Sequence, residues 1–264
     1  SKLSAEQTEK LEKHEIKIYQ KISGKTPQYF AFDTMGIPYV VYEGKLGRQY
    51  NTVIVAQQAI KFSDQKDSIS RVSFFNCIDW LIKNHTPLND SSILFSAYFD
   101  WTGYQMTSPW RSAMNQGRAM QAFIRAYEMT NDTLYLEFAR KSMNALYTDV
   151  KNGGVSYIDS TGFWFEEYAD VGAPQSRVLN GMLVVLQALS DFRNLTDDRN
   201  ANFLFLKGVD AVKSTLHLYD NNGYSNYDIN GKPSTPWYHK FHIDLLDGLY
   251  TETREPIFKE YMDK

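Results

Sequence analysis

The chain has 264 residues, 28 Lys and Arg against 31 Asp and Glu, and a formal net charge of −3. Charges of both signs are interspersed, which leaves no basic stripe to neutralise nucleic acid, so a polyanionic ligand would have to be held by local charge. No apolar run is long enough to cross a bilayer, no stretch reads as a signal peptide, and the lone Cys77 excludes a disulfide within the chain.

Residues 1–28 read as an N-terminal helical extension, and 29–52 as a β-hairpin segment that contributes to a cleft. A helix follows from Val53 through Phe62, and Ser63-Asp64 links it to a second from Ile69 to Ile82, where Cys77 lies in an apolar run and reads as packing. From Ser112, the residues Met114, Phe123, Ile124 and Tyr127 recur at helical spacing. Thr130-Asn131-Asp132 is then a tight link to a helix with Leu134, Phe138, Met143 and Leu146.

The phrase returns with Leu179, Met182, Leu183, Leu186 and Leu189, the link Asn194 to Asp198, and a partner helix from Phe203 to Leu216. It returns again from His242 to Tyr250, before Pro256 opens a last helix. The expected architecture is mainly α: an incomplete (α/α) toroid of about four helix hairpins over residues 53–264, with small β-hairpins at one rim.

Connections within the hairpins are short, whereas 29–52, 86–111, 149–174 and 219–238 are long and aromatic-rich. If the hairpins stack side by side, each long segment enters at the N-terminus of an inner helix and all four meet at one mouth. Helix N-termini carry free N–H groups and the positive end of the macrodipole, so that mouth favours an anion. With 18 Tyr and 16 Phe, the chain has more rings than a core of this size usually needs, and flat rings with polar tips suit sugar faces.

Val155 to Ile158, a turn at Asp159-Ser160-Thr161-Gly162, and Phe163 to Tyr168 read as a β-hairpin ending in two carboxylates and a phenol. Alternation places Glu167 after the apolar face of Phe163 and Phe165, where desolvation would raise its pKa and suit it to proton transfer. Glu167 and Tyr168 can both face a ligand only if the strand twists or ends there. Residues 223–238 mirror this pattern, with Tyr227 before an Asn230-Gly231 turn and Tyr238 after it. His239 and His242 have the spacing of a metal pair but lack further ligands, so hydrogen bonding or packing is expected of them and no metal. No nucleophile elbow, phosphate loop or dinucleotide fingerprint is present, and chemistry without a cofactor is the expectation.

Five phrases in order, Pro109-Trp110-Arg111-Ser112-Ala113-Met114-Asn115-Gln116-Gly117, Phe165-Glu166-Glu167-Tyr168, Val178-Leu179-Asn180-Gly181, Tyr227-Asp228 and Tyr238-His239-Lys240-Phe241-His242, resemble the catalytic helical domain of the D-glucuronyl C5-epimerases. The resemblance runs from about residue 36 to the C-terminus and is to the compact microbial form, without the β-sandwich domain of animal members. It implies a toroid that converts glucuronic to iduronic acid residues in a heparosan-like polymer. It also implies Glu167 and Tyr238 as the proton-transfer pair, Tyr168 and Tyr227 assisting. Substrate contacts are expected from Trp110, Arg111, Gln116, Arg118, Arg177, Asn180, His239 and His242.

The partner implied is an anionic uronic-acid polysaccharide, and no nucleic acid; a homodimer is compatible with the sequence. A lumenal, secreted or cell-surface setting, with a leader or anchor upstream of Ser1, is compatible with the resemblance. One departure stands out: the family's Tyr-Asp-Leu-Arg is Tyr227-Asp228-Ile229-Asn230, so the Arg expected near the substrate carboxylate is missing. Arg118, Arg111 and Arg177 are the candidates to replace it. A uronate lyase, which shares the first proton abstraction, and an inert carbohydrate-binding toroid remain open alternatives. A glycoside hydrolase is less compatible, because adjacent Glu166 and Glu167 should point apart.

Overall fold

The computed structural model describes residues 2–23, 30–42 and 44–264. A helix, α1 (Ala5–Ser23), precedes a three-stranded antiparallel sheet of β1 (Phe30–Phe32), β2 (Pro38–Tyr42) and β3 (Gly47–Gln49). The boundary expected at residue 28 lies outside the described residues.

Four helix hairpins follow: α2 (Thr52–Ser63) with α3 (Ser68–Lys83), α4 (Ala113–Thr130) with α5 (Thr133–Asn144), α6 (Leu179–Thr196) with α7 (Arg199–Thr215), and α8 (Pro236–Thr253) with α9 (Pro256–Asp263). Between them run short antiparallel pairs: β4 (Thr86–Asn89) with β5 (Ser92–Leu94), β6 (Ser96–Ala97) with β7 (Trp110–Arg111), and β8 (Ser156–Asp159) with β9 (Gly162–Phe165). Helix α2 packs on α4, α4 on α6 and α6 on α8, while α3, α5, α7 and α9 each pack chiefly on their hairpin partner or the strands beside it. The arrangement is an incomplete (α/α) toroid, an inner row of four helices backed by an outer row.

Local chemistry explains where the helices start and stop. Side chains of Asn51, Asp67, Ser112, Asp132, Asp198 and Thr235 accept the free N–H groups at the starts of α2, α3, α4, α5, α7 and α8. In the last three hairpins the inner helix ends on a left-handed residue, Asn131 (φ 58°), Asp197 (φ 53°) and Arg254 (φ 58°), and the next residue caps or precedes the outer helix. The repeat seen in the sequence is therefore a repeat of one turn geometry. At the third copy an Arg occupies a conformation that Asn and Asp tolerate better.

Two apolar clusters result. The larger fills the space between inner and outer helices, with Phe62, Phe74, Phe123, Phe165, Phe192, Phe205 and Phe258 all but fully buried. The smaller sits at the rim where the inner helices begin. It joins Ala97, Phe99, Met106, Trp110, Tyr168, Val178 and Tyr227, with Tyr42, Leu46, Tyr104 and Tyr238 packed against it. Every segment that precedes an inner helix contributes to this second cluster.

Gln116 does not reach that rim. It is fully buried inside α4, takes the Phe95 N–H at 2.8 Å, and donates to the carbonyls of Ile93 at 2.7 Å and Ser142 at 3.0 Å. Its amide is spent on fastening β5 and α5 to α4, so the substrate contact expected of it gives way to a structural role. Gln116→Leu keeps the volume but orphans three buried backbone groups at about 1–3 kcal/mol each. Denaturant unfolding should register a loss of at least ~3 kcal/mol, with no change in ligand affinity of the fraction that remains folded.

Candidate active site

Strand β9 ends at Phe165, and the chain departs from the regular alternation at the two glutamates. Glu166 is fully buried; its backbone accepts from Ala113 N at the start of α4 and donates to Val155 O in the hairpin. Its carboxylate accepts the Ser176 hydroxyl at 2.7 Å, Arg177 N at 2.9 Å and Tyr168 N at 3.3 Å. Burial raises its pKa against the pull of those donors. This carboxylate is a structural clamp between the hairpin and the loop that leads into α6.

The same strand end lets Glu167 and Tyr168 share one cluster. Glu167 is 9% exposed, and its Oε2 is buried without a hydrogen-bond partner. Burial drives its carboxyl up to about 8; the Tyr168 hydrogen bond opposes this and the charge of Glu166 adds to it. Gly181, in the first turn of α6, makes room: a Cβ there would lie 2.5 Å from Glu167 Oε2 and 2.8 Å from Glu167 Cβ. Helix α6 itself starts at Val178 with no side-chain cap, and Leu179 N donates to Tyr227 O.

Four phenols surround this carboxyl. Tyr104 stacks on Tyr168 with centroids 4.2 Å apart, Trp110 flanks Tyr168 at 5.6 Å, and Tyr227 meets Tyr238 edge-on at 4.7 Å. Burial, and then the charge of Glu167, push the Tyr168 and Tyr227 hydroxyls well above the ordinary phenol value, so both stay protonated donors at neutral pH. Tyr104 is raised likewise, by burial and by its 2.7 Å hydrogen bond to Asp228 Oδ2.

The other expected contacts are distributed unevenly. Trp110 lies in the cluster wall with its indole N–H on Phe99 O at 2.7 Å. Its neighbour on β7, Arg111, points the other way, toward Val150 O at 3.5 Å and the charge of Asp170. Arg177 is held by Asp159 at 3.4 Å and lies over the Trp164 ring, while its carbonyl takes the Tyr219 hydroxyl. Arg118 donates to Gln121, which donates to Asp191 of α6, and burial lowers its pKa to about 10. None of these three guanidiniums joins the tyrosine cluster, which corrects the expectation that one of them would.

Asn180 is buried in the first turn of α6 next to Gly181, with its Oδ1 unpartnered. His239 and His242, expected to touch substrate, are engaged with Ser225. His239 Nδ1 accepts Ser225 N at 3.2 Å and its ring stacks on Tyr224, while His242 Nδ1 meets Ser225 Oγ at 2.9 Å. Burial holds His242 down to about 3. Both histidines pin the 219–225 turn to α8, His239 one position on from Tyr238 and His242 one helical turn further along.

The hairpin expected over 223–238 is reduced to a turn closed by Gly231 N on Asp228 O, with isolated bridges at Asp220–Ser225 and Asn226–Pro233. The reason is local: Asp228 Oδ1 captures the N–H of Asn230 at 3.0 Å and Lys232 at 3.3 Å, and Pro233 has none to give. Tyr104 and Asp228 thus enter the site as residues the sequence reading had not assigned a part. Only the placement of Asp228 beside Tyr227 in a quoted phrase could have signalled it.

A model of the D-glucuronyl C5-epimerase C-terminus family matches residues 89–264, and the chain belongs to that family. It is 31% identical over 189 residues to an uncharacterised protein of Methanocaldococcus jannaschii, covering 69% of this chain and 61% of that one. It is 28% identical over 211 residues to a D-glucuronyl C5-epimerase of Caenorhabditis elegans, covering 73% of this chain and 34% of that one. The chain therefore matches only part of the length of each relative. Among solved structures, the fold is similar to a family 76 α-mannanase of Bacteroides thetaiotaomicron, with a TM-score of 0.58 and 14% identity over 97% of this chain and 70% of that one. It is also similar to a cellobiose 2-epimerase of Bacillus thermoamylovorans, with a TM-score of 0.53 and 11% identity over 80% and 58%.

Two measurements test this geometry. Gly248 in α8 has nothing within 4 Å of an added Cβ, whereas Gly181 has Glu167. Gly248→Ala should therefore gain about 1 kcal/mol from helix propensity, and Gly181→Ala should lose stability through overpacking that costs about 1–3 kcal/mol. The second concerns pH. Glu167 holds its proton in the folded state up to about pH 8, but an unfolded carboxyl releases it near 4.5. Its contribution to stability is present below that lower value and is lost as pH rises through about 8. Glu167→Gln should lose less stability than the parent between pH 5 and pH 8, by on the order of a few kcal/mol, in paired denaturation curves.

Proposed function

We propose that this chain is a polysaccharide uronate C5-epimerase, converting D-glucuronic to L-iduronic acid residues in a heparosan-like or related polymer. The observation that carries the reading is Glu167: a buried carboxyl lifted to about 8, one oxygen unpartnered, among the phenols of Tyr168, Tyr227 and Tyr104 with Tyr238 against Tyr227. A structural carboxylate would be satisfied, as Glu166 is; one kept unsatisfied among proton donors is suited to moving a proton.

In this reading the ionised Glu167 takes the C5 proton, and the C–H electron pair moves into the adjacent carboxylate to give an enolate dianion. The Tyr238 hydroxyl returns a proton to C5 from the opposite face, which inverts the centre and leaves a phenolate and a neutral Glu167. Exchange with solvent, or the reverse passage, resets the pair. Tyr168 and Tyr227 hold neutral O–H groups toward the enolate oxygens, and the uncapped start of α6 adds positive potential. Removal of water by the surrounding rings strengthens each of these interactions.

A hydrolytic reading is less well supported, since it asks for two carboxylic groups across a glycosidic bond. Glu166 is committed to Ser176 and Arg177, and Asp228 to Tyr104 and its own turn.

The test is incubation with desulfated uronic-acid polymers in deuterated water and NMR at C5. Deuterium uptake is expected, and Glu167→Gln and Tyr238→Phe should each slow it by about 10²–10⁴-fold. Because the ionised carboxyl is the acceptor, the rate should rise with pH toward a plateau above about 8. No uptake on any candidate polymer would sink the proposal, and an unsaturated product absorbing in the ultraviolet would replace it with a lyase.

A further inference from the structure

A cation beside a carboxylate-bearing reacting carbon would favour its binding, and where the resemblance implies an Arg in this turn the chain has Asn230. The three arginines that could have replaced it are bound elsewhere: Arg111 at Val150, Arg118 at Gln121, and Arg177 at Asp159. The turn that lost the Arg, however, offers a lysine two residues on. The Lys232 ammonium lies 5.2 Å from the centroid of Tyr104 and 5.3 Å from that of Tyr227, the two rings that bracket the cluster around Glu167. Among the described residues it is the cation placed over these rings, and it forms no ion pair with any of them.

We infer that Lys232 is the residue that receives the uronate carboxylate, taking over from the turn's missing Arg. The inference rests on the epimerase reading for its substrate class. The backbone carries Lys232 to this place: its N–H is held by Asp228 Oδ1 at 3.3 Å, and its carbonyl takes the Tyr227 N–H at 2.6 Å. The same Asp228 carboxylate accepts the Tyr104 hydroxyl at 2.7 Å, so one buried anion fixes both a ring under the ammonium and the chain that bears it. Asp228 is itself filled by these donors and by Asn230 N at 3.0 Å, which leaves the ammonium directed at the rings rather than paired with it.

The side chain is exposed and can leave its resting place cheaply. A carboxylate offers a charge-assisted hydrogen bond in exchange for a weak contact with two π faces. Tyr227 belongs to the rim cluster and Tyr104 stacks on Tyr168, the neighbour of Glu167, so a carboxylate drawn to Lys232 is drawn to the rings of that cluster. The same ammonium would also face the oxygens on which the enolate charge grows. A lysine presents a point charge rather than a planar fork, so it would grip the carboxylate with less directional control than the Arg it replaces.

The experiment compares binding of a desulfated uronic-acid polymer with binding of the same polymer after its carboxyls are reduced to alcohols, for the parent protein, Lys232→Met and Lys232→Arg. Lys232→Met should weaken binding of the uronate polymer about 10–100-fold and leave the reduced polymer unchanged, with Lys232→Arg restoring most of the difference. Equal affinity of the parent and Lys232→Met for the uronate polymer, or an equal loss on both polymers, would overturn the inference. These readouts need no turnover. A parent protein that binds uronate through Lys232 but takes up no deuterium would uphold the inference while the epimerase reading fails.

Discussion

Much of the site hangs on the buried carboxylate of Glu166. Its main chain ties the β8–β9 hairpin to the start of α4, and its side chain gathers Ser176, Arg177 and Tyr168. A carboxylate with three donors in an apolar surrounding is costly to move, because any shift leaves a buried charge short of partners. Everything downstream in the chain inherits that fixed point. Strand β9 stops there, Glu167 and Tyr168 turn to one side together, and the loop to α6 is drawn in so that Gly181 comes under Glu167.

Two adjacent glutamates therefore meet opposite fates by environment alone. Glu166 is satisfied, and its reactivity is buried with it. Glu167 keeps an unpartnered oxygen and a carboxyl raised to about 8. The imbalance lowers stability at neutral and alkaline pH, and such a cost persists where the unsatisfied group has work to do. The phenols around it share the desolvation and remain donors, so the cluster holds exchangeable protons.

The scaffold spreads this task over four similar pieces. Each hairpin supplies packing between inner and outer helices and repeats the same turn, while the segment ahead of each inner helix is free to differ. Those segments give Tyr42, Tyr104 and Trp110, Tyr168, and Tyr227 with Lys232 to one rim. The likeness of the fold to a mannanase and to a cellobiose epimerase fits this division, since a common helical frame can carry unrelated chemistry in its loops.

Helical periodicity, cap residues and the repeated links were legible in the sequence because they are local: a 3.6-residue period, an Asp or Ser ahead of a helix, and a two-residue link act over a few residues whatever the rest does. From these came the four hairpins and the shared rim; the twist or strand end at Glu167 followed from strand alternation, once Glu167 and Tyr168 were both asked to face a ligand. The phrases around Glu167, Tyr227 and Tyr238 also identified the family. Which polar side chains face the rim was not legible, because that depends on partners distant in the chain. Gln116 is consumed by Phe95, Ile93 and Ser142, His239 and His242 are engaged by Ser225, and Arg111 and Arg177 are taken by Val150 and Asp159, partners that no spacing announces. Tyr104, brought onto Tyr168 and held by Asp228 across 124 positions of chain, was one aromatic among many until the tertiary structure chose it. Local patterns determined the frame; burial and competition for hydrogen-bond partners, settled only when the whole chain packs, decided which residues occupy the site.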